Sequence, residues 1–356
     1  MDLSSLLGKE LTWGRHKLLA LGTILVVLPA AFAYATFGFQ SVLPTDAPVA
    51  IAPQTAAVAT GDLSIARAAI TIFSDPQTFD SQAAAMRALN REQVYAVVSV
   101  PPNLTDESLG AAEFTVYVEG SVVPYHKPSQ ALTSIVSYSL DSTLPRGAVA
   151  NRAVVGEQYR LSTYLVPTFV VTLVSLVALA YLPYTFDNEA AVLDRLRVES
   201  SLYAVVASKL TFFSALMVVP LLTFDAMSVI SGANVRVLGP GTLLVTVLLF
   251  VLLGLVGATV MFLLGFGAWA RIANLVVMLF VLGFSGVAYP VGFFSPARRW
   301  LVRHVPTHYA AIATRGFVLR DDPIALYADW LLGLVGAIAV AALAFVGSVK
   351  LYERRT

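Results

Sequence analysis

Six stretches of the chain are long and apolar enough to restrict it to one kind of solvent. They run from Leu18 to Phe37, Thr163 to Leu182, Leu210 to Ile230, Gly241 to Gly265, Ile272 to Tyr289 and Trp330 to Val349. At 1.5 Å rise per residue, about 20 helical residues cross the roughly 30 Å hydrocarbon layer of a bilayer. Inside lipid the backbone must satisfy its own polar groups, so each run is expected to be a helix. Only 13% of the residues are charged, about half the share found in soluble domains. A multi-pass membrane protein follows.

Lys9, Arg15, His16 and Lys17 precede the first run, and Ala33-Tyr34-Ala35 imitates a signal-peptide cleavage site. The run is longer than the 7–15 residues of a signal-peptide core, so a retained helix is expected. Between Gln40 and Arg160 the long apolar runs stop and acidic residues concentrate. Val49 to Pro53, Ile70 to Phe73, Val94 to Val100 and Phe114 to Val118 are short, β-branched or aromatic, and read as strands. Asp80 to Arg91 and Pro128 to Leu140 carry apolar residues three and four apart and read as amphipathic helices. The expected fold is an all-α transmembrane domain of six helices with an inserted α/β extracytoplasmic domain. Its divisions are 1–39 (tail and first helix), 40–160 (the α/β domain) and 161–356 (five helices).

Basic residues orient the spans. Lys9, Arg15 and Lys17, then Arg195, Arg197 and Lys209, then Arg271, then Lys350, Arg354 and Arg355 all fall on one side if there are six spans. The positive-inside rule makes that side cytoplasmic, placing both termini inside and the α/β domain outside a cell membrane. Arg298, Arg299, Arg303, Arg315 and Arg320 oppose this assignment. Either a short membrane-entering segment divides their loop, or they pair with Asp321, Asp322 and Asp329.

The net charge of +1 offers no field for nucleic acid. The chain has no cysteine and four scattered histidines without metal-ligand spacing, and no Ser/His/Asp arrangement is readable, so catalysis has little support. No G-x-x-x-x-G-K-[ST] loop occurs, so nothing cradles nucleotide phosphates.

The most informative polar stretch joins the second and third runs, Thr185 to Ser201. Val192, Leu193 and Leu196 fall at helical spacing among Glu189, Asp194, Arg195, Arg197 and Glu199. Such a helix either lies along the membrane surface or docks an apolar ridge into a soluble partner. With Asp187 and Glu189 at its start, Leu193-Asp194 at its centre, Leu196-Arg197-Val198 at its end and Lys209 opening the next run, the stretch resembles that of the type-2 ABC transporter permeases. It departs from them at Ala191-Val192, where Gly-Thr is usual. A second resemblance precedes the last run, in Tyr289-Pro290, Pro306-Thr307-His308-Tyr309 and Arg315-Gly316. A third is Tyr95 to Pro101, a strand ending in proline.

The resemblance implies a permease subunit, itself not an enzyme, of an ATP-driven exporter. Its partners would be a nucleotide-binding ATPase subunit, which holds ATP and Mg, a second permease copy or homologue, and membrane lipid. It assigns Asp187, Glu189, Leu193, Asp194, Leu196 and Arg197 to a coupling helix near 187–199. The competing expectation is a membrane-anchored extracytoplasmic ligand-binding or sensor protein without transport.

Asp225 near the end of the third run needs a partner or water, because a charge in hydrocarbon costs at least ~2.5 kcal/mol. Arg236 is the nearest candidate in sequence. Asp225, His308 and Arg315 are read as path-lining or structural residues. Gly333, Ala337 and Ala341 form a small-residue face suited to close helix packing. Trp13, Trp300 and Trp330 sit where interfacial anchors belong, and Asn103-Leu104-Thr105 matches a glycosylation acceptor.

Overall fold

The computed structural model describes residues 47–71, 74–122, 124, 126–192, 201–230, 235–287, 290–291, 294 and 296–355. The run Leu18 to Phe37 and Trp13 lie outside these residues.

A five-stranded sheet occupies the first part. β1 (Pro48–Pro53), α1 (Thr60–Thr71), β2 (Asp75–Thr78), α2 (Gln82–Asn90), β3 (Ala96–Val100), β4 (Ala112–Glu119), α3 (His126–Thr143) and β5 (Ala148–Val155) follow in chain order. The strand order is β2-β1-β3-β4-β5, parallel except between β3 and β4. Val49, Ala50, Ile51 and Ala52 are fully buried, because β1 is apolar on both faces and sits inside the sheet with helices on either side. One face packs under α1 and α3, with Ile51, Ile70, Phe114 and Val136 in a shared core; the other packs Ala50 and Val97 under Ala85 and Leu89 of α2. Ser81 caps α2 by accepting the Ala84 N–H.

The expected strand from Ile70 to Phe73 is not formed at Ile70 and Thr71, which close α1. Asp62, Ala66, Ala69 and Ile70 are the buried positions of that helix; their spacing of four, three and one is helical, and it outweighs the local β-branched run. β2 is a polar edge strand, and β5 is the other edge. Neither carries the unbroken apolar run that betrays an interior strand.

Beyond Arg160 the described residues are mostly helical. Among the described residues, four segments are long and apolar enough to cross a membrane: Leu161–Glu189, Leu202–Ile230, Pro240–Leu264 and Ile324–Arg355. The first joins α4 (Leu161–Leu176) to α5 (Leu182–Glu189) through a π-turn at Val177–Tyr181. Pro183 accounts for that turn. Leu182 N–H bonds Val177 O, and Pro183 has no N–H to offer Ala178 O in the same register. The second segment is α6 (Leu202–Leu216) and α7 (Val218–Ile230), with Ser201 capping α6. α8 (Pro240–Leu264) starts on a proline at its first turn and ends on left-handed Gly265 (φ 72°).

The run from Ile272 to Tyr289 behaves differently from the others. Its helix, α9 (Ala268–Phe284), has 17 residues, about 25 Å at 1.5 Å per residue. Thr168, two turns into α4, donates its hydroxyl to Val287 O, so the chain leaves α9 below the rim of the bundle. Two short helices follow, α10 (Pro296–Arg303) and α11 (Pro306–Arg315). α11 packs against α4, α8 and the last helix. Thr307, His308, Ala310 to Thr314 and Arg315 are all buried. A second π-turn (Gly316–Arg320) and a 3-10 turn (Ile324–Tyr327) lead into α12 (Ala328–Arg355).

α12 buries Leu331, Leu334, Ala341, Phe345 and Val349, chiefly against α8. Of the small-residue face, Ala341 is buried and Ala337 half-buried against the helical core, while Gly333 is exposed. The close approaches belong to α8. A Cβ on Gly254 would stand 2.5 Å from Leu210 Cδ2, and one on Gly257 would stand 3.0 Å from Ala178 O, the carbonyl freed by Pro183.

Candidate functional site

Two polar constellations lie at opposite ends of the bundle. At the end remote from the sheet, the turn between α8 and α9 has three successive left-handed residues, Gly265, Phe266 and Gly267 (φ 72°, 64° and 87°). This turn aims the Gly267 N–H at Asp187 Oδ1, 2.7 Å away, while Arg271 Nε lies 3.2 Å from Asp187 Oδ2. Two residues further along the chain, Glu189 accepts from Lys209 Nζ at 2.7 Å, and the same ammonium stands 5.6 Å from the centre of the Phe186 ring. The end of α5 is thus fastened to α9 by Asp187 and to α6 by Glu189. Leu193, Asp194, Leu196 and Arg197 lie outside the described residues.

The second constellation joins the sheet region to the helices. The last turn of α2 presents three consecutive groups to the segment from α11 to α12. Asn90 O accepts from Arg320 Nη2 at 2.7 Å, a cation at a helix C-terminus where the dipole favours it. Arg91 pairs with Asp329 at 2.6 Å and lies 4.2 Å above the Trp330 ring. Glu92 accepts from Arg315 Nε and Nη2 at 2.9 and 2.7 Å, a two-pronged ion pair with both partners almost fully buried.

Glu92 reaches that position by adopting φ 51° just beyond α2, a left-handed conformation costing a non-glycine residue about 1–2 kcal/mol. The remaining Arg315 donor, Nη1, bonds Gly286 O and Val287 O, so the guanidinium also closes the loop after α9. Burial by itself would raise the Glu92 carboxyl; the adjoining Arg315 charge and bonds, helped by Arg320, hold it below the ordinary value of 4.5 instead.

Of the two expected outcomes for these arginines, pairing is seen, with changed partners. Arg315 pairs with Glu92, Arg320 with Asp322 at 3.0 Å, and Asp329 is taken by Arg91. Arg298 donates to Gly283 O and lies 4.0 Å from the Phe294 ring centre.

His308 is buried, with Nδ1 3.2 Å from Ser285 O, beside a hydroxyl pair of Ser285 and Thr307. It supports the turn out of α9, not an open path. Asp225 accepts the Val237 and Leu238 N–H groups at 2.7 and 3.3 Å. In place of the expected partner Arg236, the backbone of the two residues that follow it serves Asp225. His308 and Arg315 therefore hold the same turn, through the successive carbonyls of Ser285, Gly286 and Val287, whereas Asp225 is fixed separately. Among the described residues, no group of three His, Asp or Glu side chains is placed to hold a metal.

Sequence reasoning missed Asn90, Arg91 and Glu92. A polar triplet at the end of an amphipathic helix reads as a solvated turn, and only the burial of Arg315 exposes its role. Comparison of the chain with protein-family models, with curated proteins and with solved structures finds no match.

Proposed function

We propose that the chain is the permease subunit of an ATP-binding cassette exporter, driven by a separate ATPase that carries ATP and Mg. The observation that carries the reading is the fastening of Asp187 and Glu189. The segment after α5 leaves a point tied to α6 and α9, so a force applied at 190–200 would enter three helices together. The four long apolar segments suit a translocating body, and the missing phosphate-binding loop leaves energy supply to a partner. In this reading the 187–199 segment lies in the cytoplasm, the sheet region outside, and two permease halves enclose the path. Closure of the paired ATPase subunits would shift the population between inward and outward states.

The chain, tagged and extracted in mild detergent, is expected to co-purify with a subunit that has a phosphate-binding loop, identified by mass spectrometry. Replacing Leu193 and Leu196 with aspartate is expected to abolish that recovery. Recovery of the intact chain with no nucleotide-binding subunit sinks the proposal and favours the sensor alternative.

A further inference from the structure

A cavity of about 490 Å³ lies where the sheet region meets the bundle, within the 300–1,000 Å³ range of small-molecule sites. Its floor holds Asn90, Glu119 and Arg320, its rim Glu157, Arg236 and Asp321, and its apolar wall Phe317 with Val318 and Leu319. Glu119 is only 4% exposed. It accepts from Ser121 N–H at 3.2 Å, and no cation lies within ion-pair distance of it among the described residues.

The neighbouring guanidinium is already committed. Arg320 donates to Asp322, Ser121, Asn90 O and the Tyr327 hydroxyl. The side-chain oxygen of Asn90 is buried without any donor. Burial pushes the Glu119 carboxyl above the usual range, with the Arg320 charge and the Ser121 bonds offsetting only part of it. The cavity therefore has acceptors in excess of donors. Its lining sets four carboxyl groups, those of Glu119, Glu157, Asp321 and Asp322, against the two guanidinium groups of Arg236 and Arg320.

We propose that this cavity binds the head of an ammonium-bearing amphiphile. The N–H groups would meet Glu119 at the floor and Glu157 and Asp321 at the rim, and the adjoining carbon chain would lie on Phe317, Val318 and Leu319. A primary ammonium supplies three donors and no acceptor, which matches the deficit; an anion or a neutral alcohol does not. The inference stands apart from the transport reading, since it concerns binding by this chain alone.

The test uses the purified full chain in phosphatidylcholine nanodiscs without any ATPase, titrated calorimetrically with hexylamine, hexanol and hexanoate. Hexylamine is expected to bind at least tenfold more tightly than either control. Glu119→Gln is expected to weaken it at least tenfold. The exposed rim pair Glu157→Gln with Asp321→Asn, which leaves the buried floor intact, is expected to weaken it severalfold. Nanodiscs containing phosphatidylethanolamine separate the sources: competition with hexylamine identifies a lipid headgroup, and unchanged hexylamine affinity identifies a soluble amine. Equal binding of hexylamine and hexanol, or hexylamine affinity unaltered in both variants, overturns the proposal.

Discussion

Replacing Glu92 with alanine tests whether the sheet region is held to the helices by one buried ion pair. The substitution leaves Arg315, 2% exposed at its side chain, with only the Gly286 and Val287 carbonyls to receive its N–H groups. Stranding one member of a buried pair costs about 3–5 kcal/mol, whereas replacing both with apolar residues is often neutral. Arg315→Met alone strands Glu92, which retains Arg320 at 3.8 Å, and frees two carbonyls worth about 1–3 kcal/mol each if left unbonded. Glu92→Ala with Arg315→Met removes the stranded charge but not the two carbonyls. The double variant should therefore be less damaged than the sum of the singles by at least about 2 kcal/mol. At ~2 °C per kcal/mol, the lower figure for larger chains, Glu92→Ala lowers the thermal midpoint in detergent by about 6–10 °C. Tryptophan fluorescence reads this, because Trp330 lies beneath Arg91 in the same joint. Additive single effects, or a Glu92→Ala midpoint within 2 °C of the parent, would refute the argument.

Other outcomes follow from the same geometry. Asp187→Ala should cost about 1.5–3 kcal/mol, the range for hydrogen bonds to a charged group, whereas Glu189→Gln, whose carboxylate side chain is 39% exposed, should cost no more than about 1 kcal/mol; paired thermal scans compare them. Gly316→Ala places a Cβ against the Tyr327 hydroxyl and 2.7 Å from Asp322 Oδ2, an overpacking expected to cost about 1–3 kcal/mol and to loosen the Arg320 site. Faster hydrogen exchange in the 316–327 segment would register that loosening, and unchanged exchange would contradict it. Because the folded-state pKa of Glu92 is depressed, its stabilisation is complete above the unfolded value of about 4.5 and is lost as pH falls through the lower folded value. Acid unfolding of Glu92→Gln should lack this component, as a pH series of midpoints would reveal.

The helical part was readable because lipid imposes a length on apolar segments, and α8 and α12 fall where those runs stand. α9 escaped because composition cannot distinguish one run of about 18 residues from a shorter helix followed by a turn; the end at Phe284 is fixed by Arg298, Thr307 and Thr168, all distant in sequence. In the sheet region, β1, β3 and β4 announced themselves by unbroken or alternating apolar residues. β2 and β5, at the edges, have less to bury and left little trace. Asp187, Glu189 and Lys209 were singled out together within one stretch, but the fastening of Asp187 depends on a turn of three left-handed residues that no periodicity reports. Arg315 was noticed for its position before the last run, and its partner remained hidden because Glu92 lies 223 positions away.

Among the described residues, the sheet region meets the helices both through the chain itself and through side chains. β5 runs through Gly156 to Arg160 straight into α4, and the end of α2 grips α11 and α12 through Asn90, Arg91 and Glu92. A body tethered at one point can swivel, but one held at two turns with its mounts. If α4 and the α11–α12 segment move relative to each other, the sheet must tilt or the Glu92 grip must open. The grip is in this sense the clutch of the assembly, and its rupture would be the first event to separate motion in the membrane from motion above it.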